Sequence, residues 1–94
     1  MYEVIQKEIR IAAIFEILRC EMNYNFDVIA AELLIDTDSV RLIKNLSNEE
    51  ISNDMLFRLY YMCCETINNM HITDYERCCA NHLKSVCIKE IGKR

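Results

Sequence analysis

The 94-residue chain has no proline, no tryptophan and a single glycine, Gly92, close to its end. A sheet protein needs turn residues every eight to twelve positions or so, and this chain does not supply them. Sandwiches and barrels are thereby excluded, and long helices joined by short polar loops remain. Uninterrupted apolar stretches are also missing. Charges recur every few positions in the first twenty residues, so neither a secretory leader nor a span of about 20 apolar residues is read there. Excess positive charge is absent too: the formal net charge is -4, which works against bulk attraction to nucleic acid and leaves local patches to decide. No phosphate-cradling glycine loop, serine elbow, His-Glu metal motif or Cys-x-x-Cys pair occurs, and a non-enzymatic role is the expectation.

What is present is apolar: hydrophobic residues make up 52% of the chain, and its length suits one helical domain over 1–94. A first helix is predicted over 2–22, with one stripe of Val4, Ile11, Phe15, Leu18 and Met22 and a second of Ile5, Ile9, Ala12, Ala13 and Cys20. Apolar spacing on two faces implies burial on two faces. Asn25 is placed to cap a short helix to about Leu34, and Asp36 or Thr37 to cap another reaching about Leu46. Ser47 and Glu50 have capping-box spacing, and the apolar spacing of Ile51, Met55 and Leu59 allows a central helix that begins there or a few residues later and lasts to about Met70. Thr73 and Glu76 repeat the box before a last helix with Tyr75, Cys79, Leu83, Val86, Cys87 and Ile91 inward, stopped by Gly92. The fold expected is all-α, a small bundle of about five helices.

Within residues 25–46 a particular order recurs: Asn25 as cap, Ile29 and Ala30 inward, then Leu33, Ile35, Val40 and Ile43. A small Ala30 lets a second helix cross closely over the first. Leu33 and Ile35 fill the angle between them, Val40 and Ile43 turn the second helix's back inward, and the turn, where the backbone wants positive φ, falls on Leu34. This order resembles the helix-turn-helix of phage repressors of the Cro and cI type. The resemblance implies a helix-turn-helix core within the bundle and a small repressor or regulator that binds DNA. It places the helix starting near Thr37 in the major groove, with Thr37, Ser39, Arg41 and Lys44 toward DNA and Arg41 the foremost contact.

Charge distribution supports a rival from another class. Residues 28–60 carry Glu32, Asp36, Asp38, Glu49, Glu50 and Asp54 against Arg41, Lys44 and Arg58, whereas the chain after Asp74 leans basic with Arg77, Lys84, Lys89, Lys93 and Arg94. In that reading Asp36, Asp38, Glu49, Glu50 and Asp54 form an acidic face that fills a partner's nucleic-acid groove, as an inhibitor or adaptor of phage, virus or mobile element would. The six cysteines lie within helical patterns and read as reduced, small apolar residues in a cytoplasmic setting. Cys78 or Cys79 with His82 has metal-compatible spacing, but adjacent cysteines on a helix point different ways, and no metal or cofactor is expected. Tyr24, Tyr60, Tyr61 and Tyr75 read as core and interface residues. The apolar surplus points to a homodimer joined through the first or the last helix, with no membrane contact.

Overall fold

A computed structural model describes residues 9–94, and these form five α-helices: α1 (Ile11–Glu21), α2 (Phe26–Leu33), α3 (Thr37–Leu42), α4 (Asn53–Ile67) and α5 (Asp74–Gly92). Single 3-10 turns at Ile43–Asn45 and Asn48–Glu50 join α3 to α4, and no strand occurs among the described residues. No helix is long and apolar enough to cross a membrane among those residues.

Four of the five helices start on a side chain that satisfies an orphan backbone donor of the first turn. Asn25 accepts from the Val28 N–H at 2.8 Å, Asp36 from Ser39 at 3.0 Å, Ser52 from Met55 at 3.1 Å and Thr73 from Glu76 at 3.1 Å. Each such cap stabilises its helix by roughly 1 kcal/mol. Helix α1 has no cap of this local kind. Asn48 serves instead: its Oδ1 accepts from the Ile11 N–H at 2.8 Å and its Nδ2 donates to the Ile9 carbonyl at 2.9 Å.

That long-range clamp explains why the first helix is shorter than its pattern. Ile9 and Arg10 are not helical, and Arg10 is extended at φ -77°, ψ 124°. The Ile9 carbonyl is paired with Asn48 outside the helix, and the Arg10 carbonyl accepts the helix's first hydrogen bonds, from the Ala13 and Ile14 N–H groups, so Ile11 is its first residue. Of the predicted stripes, Val4 and Ile5 lie outside the described residues. Ile9, Ala13 and Cys20 of the second stripe are exposed, and only Ala12 of it is buried.

Other boundaries also moved. The second short helix ends at Leu42 and tightens into a 3-10 turn, and the Arg10 guanidinium donates to the carbonyls of Lys44 and Leu46 at 3.3 and 3.2 Å. At the first capping box, Glu50 Oε1 accepts from the Ser47 N–H at 3.2 Å and its hydroxyl at 2.9 Å, and the box closes a 3-10 turn; α4 takes the later of the two expected starts, on Ser52, and ends at Ile67 rather than Met70. On α5 the inward row is Ala80, Leu83, Cys87 and Glu90, with Tyr75 exposed. The row is set by neighbours on two sides, α1 and α4, both of which pack on α5. Gly92 is the last helical residue rather than a left-handed stop, and Lys93 follows it in right-handed geometry.

The core is one connected set of buried side chains drawn from all five helices and the turns, centred on Ile11, Phe15, Leu18, Ile29, Leu33, Val40, Ile43, Ile51, Leu56, Leu59, Leu83 and Cys87. Fully burying a large apolar side chain contributes about 1.5–3 kcal/mol, set against the entropy of ordering it. Cys63 and Cys87 behave as core residues: both are fully buried, all six cysteines are free, and burial pushes the Cys63 thiol well up and Cys87 up to about 12. Neither thiol is a nucleophile in that state.

Candidate nucleic-acid interface

Helices α2 and α3 meet through Leu34 and Ile35. Leu34 holds φ 57°, ψ 42°, the left-handed conformation that reverses the chain at the end of α2, and its side chain is 81% exposed. The N–H groups of Leu34 and Ile35 donate back to the carbonyls of Ala31 and Ala30 at 3.3 and 3.1 Å, closing the helix end. Arg58 of α4 completes the closure, donating through Nη1 to the Leu33 carbonyl at 2.6 Å while its Nε bonds Asp54 at 2.7 Å. Ile29, Ala30, Leu33, Val40 and Ile43 are all buried, and Ile35 is half-buried. α3 is thus fixed by its apolar back, and its front faces solvent.

The four residues singled out for DNA divide in two. Thr37 and Ser39 are half-buried and their hydroxyls are spent locally: Thr37 Oγ1 donates to Asp27 Oδ1 at 2.9 Å, and Ser39 Oγ donates to Asp36 Oδ1 at 2.7 Å. Arg41 and Lys44 are exposed. The Arg41 guanidinium lies 3.6 Å from Asp38 and 5.6 Å from the centre of the Phe26 ring. Asp38 is 87% exposed along its side chain, so the pair is screened by solvent and competes little with an incoming anion.

Three further residues shape this surface, and sequence spacing did not single them out. Phe26 carries a second guanidinium, Arg19, at 4.6 Å from its ring centre. Arg19 is neutralised by a two-pronged contact to Glu16, at 3.1 and 2.9 Å, and also donates to the Tyr24 carbonyl. The Glu16 carboxyl is held below the usual range by that arginine, and Arg19 is raised by the same bond. Arg19 is therefore a structural cation that fixes Phe26, whereas Arg41 is tied only by its solvent-screened pair with Asp38 and its place over the same ring. Arg10, exposed and bonded to the Lys44 carbonyl, adds a third outward cation beside Lys44. Its contact to Lys44 joins positions 34 residues apart, which no local pattern encodes.

The five carboxylates of the rival acidic face are mostly engaged near home. Asp36 caps α3, and its hydrogen bonds from Ser39 hold its carboxyl below the usual range. Asp38 faces Arg41, Asp54 pairs with Arg58, and Glu50 is likewise lowered by the Ser47 N–H and hydroxyl. Glu49 is exposed, and its carbonyl accepts from Arg94 at 3.4 Å. Among the described residues, no group of three or more His, Cys, Asp or Glu side chains is placed to hold a metal ion, and His71 and His82 are both exposed. A crevice between α1, α2 and α4, lined by Phe15, Leu18, Met22, Ile29 and Met62, has no room even for a water molecule and so is no ligand pocket.

No family model matches this chain, and neither the curated proteins nor the solved structures contain a significant match to it.

Proposed function

We propose that this protein is a small, non-enzymatic, cytoplasmic regulator that binds duplex DNA through the α2–α3 unit, and that it holds DNA chiefly by its phosphates. One observation carries this reading. The left-handed Leu34 turns the chain between two short helices whose inward residues are covered, and the outer side of the second helix and its following turn carries Arg41 and Lys44 beside Asp38 and Leu42. Arg10 extends that cationic edge from the start of α1. Because the hydroxyls of Thr37 and Ser39 are bound to Asp27 and Asp36, they offer little to base edges. Three cations against phosphate give attraction that falls steeply with salt and depends only modestly on base sequence.

Fluorescence anisotropy with mixed duplex DNA at two salt concentrations tests the reading. The parent binds at low salt, and affinity falls as salt rises. Arg41→Ala reduces affinity and lowers the salt slope by about 1, the loss of one phosphate contact. An unchanged slope in that variant places the groove helix elsewhere. No binding at low salt overturns the DNA reading and turns attention to the acidic face of Asp36, Asp38, Glu49, Glu50 and Asp54 and a protein partner.

A further inference from the structure

Five of the six arginines spend guanidinium donors on oxygens of the protein itself. Arg10 donates to the Lys44 and Leu46 carbonyls, Arg19 to Glu16 and the Tyr24 carbonyl, and Arg58 to Asp54 and the Leu33 carbonyl. Arg77 donates to the Ile67 and Asn69 carbonyls, and Arg94 to Asn53 and the Asn48 carbonyl. Arg41 donates to no oxygen among the described residues. Its approach to Asp38, at 3.6 Å, is beyond hydrogen-bond reach, and its guanidinium carbon lies over the Phe26 ring, 5.6 Å from the ring centre. A ring attracts a cation through its quadrupole without taking up its N–H edge. The fork of donors that matches a phosphate is therefore held in place and yet unspent.

The contact follows from how α2 and α3 begin. Asn25 caps α2 and fixes Phe26 as its first residue. Thr37 Oγ1 donates at 2.9 Å to Asp27, the residue after Phe26, and ties the start of α3 to the start of α2. Thr37 and Arg41 are four residues apart and so are neighbours on one side of α3, which brings Arg41 over the ring. Phe26 itself packs half-buried against the core, so the ring is a fixed platform. Arg19 shares that ring at 4.6 Å, and two bare cations there would repel each other. Glu16 removes the conflict by neutralising Arg19 through both its oxygens, at 3.1 and 2.9 Å.

We propose that Phe26 is a positioning residue for phosphate binding: it sets the Arg41 guanidinium in place before the anion arrives. The proposal rests on the DNA reading and names how its foremost contact is prepared. An unrestrained arginine loses rotamer freedom when it binds, and one already held over a ring loses less, so the ring raises affinity without adding a contact. The number of phosphates neutralised is unchanged. Loss of the ring therefore lowers affinity alone, whereas loss of Arg41 lowers affinity and salt slope together.

Anisotropy titrations of the full chain with duplex DNA at two salt concentrations compare the parent with Phe26→Leu, Phe26→Tyr, Arg41→Ala and the Phe26→Leu, Arg41→Ala double variant. Phe26→Leu weakens binding by about two- to fivefold at an unchanged salt slope, the range for an exposed cation over a ring. Phe26→Tyr keeps the ring and binds like the parent. Once Arg41 is alanine, Phe26→Leu has no further effect. In the parent without DNA, the Arg41 Nε–H resonance is displaced by the ring current, a measurement that needs no variant to fold. An unchanged far-UV spectrum shows that each variant used is folded. An undisplaced Arg41 resonance in the parent, a Phe26→Leu variant that binds like the parent, or a Phe26→Leu loss that persists without Arg41 overturns the proposal and leaves the DNA reading standing. A parent that binds no DNA at low salt ends both.

Discussion

Leu34 shows how one residue sets a local geometry against its own preference. A left-handed conformation costs an L-residue roughly 1–2 kcal/mol, and glycine escapes that cost. Asn23, in the loop before α2, has a similar φ of 54° but is a residue type that tolerates it. Leu34→Gly is expected to raise stability by about 1 kcal/mol, read as a higher urea midpoint at constant slope, because the exposed side chain gives up little burial. Leu34→Val, branched at Cβ, is expected to lower the midpoint in the same assay. The turn's place was legible in the sequence, because Ile29, Ala30, Leu33, Val40 and Ile43 must all point one way. The positive φ expected there is also what Leu34 adopts, at 57°.

Helices were legible where their signals were local. Asn25, Asp36 and Thr73 each cap a donor three residues on, a spacing visible in the chain itself. Of the inward row expected on α5, Leu83 and Cys87 are fully buried and Cys79, Val86 and Ile91 pack against the core half-buried, whereas Tyr75 is exposed. Ala80 and Glu90, which the spacing did not single out, are buried because neighbours set how far the helix turns. Among the candidate site residues, the exposure of Arg41 and Lys44 followed from the stripe, but the capture of the Thr37 and Ser39 hydroxyls depended on acidic neighbours whose geometry was not in the spacing. Three carboxylates, one of them the Asp36 cap, make the fold acid-sensitive. Asp36, Glu50 and Glu16 are all held below their ordinary range, so their stabilisation is present above the unfolded carboxylate pKa and is lost as pH falls through the folded one. The thermal midpoint is therefore expected to be level from pH 7 to about 5 and to drop below about pH 4. Asp36→Asn, which keeps an acceptor for the Ser39 N–H and removes the titrating group, is expected to show a smaller acid drop.

Asn48 and Arg94 bind the two ends of the described chain to the turn before α4. Asn48 holds Ile9 and Ile11, and Arg94 donates to the Asn48 carbonyl at 2.9 Å, to Asn53 and to buried Glu90. Asn48→Ala leaves the buried Ile11 N–H without its acceptor and is expected to cost about 2–3 kcal/mol in denaturant unfolding. Asn48→Asp keeps that acceptor and loses the donor to Ile9, for an intermediate cost. Faster hydrogen exchange at the Ile11 amide than at α4 amides would locate the damage. The clamp also orders events in time. The α4–α5 hairpin closes a short loop, whereas Asn48 reaches back 37 residues to Ile11, and loop-closure entropy grows with that span. The start of α1 is therefore expected to dock after the hairpin has formed, so that in stopped-flow denaturant jumps Asn48→Ala raises the unfolding rate and leaves the folding rate unchanged.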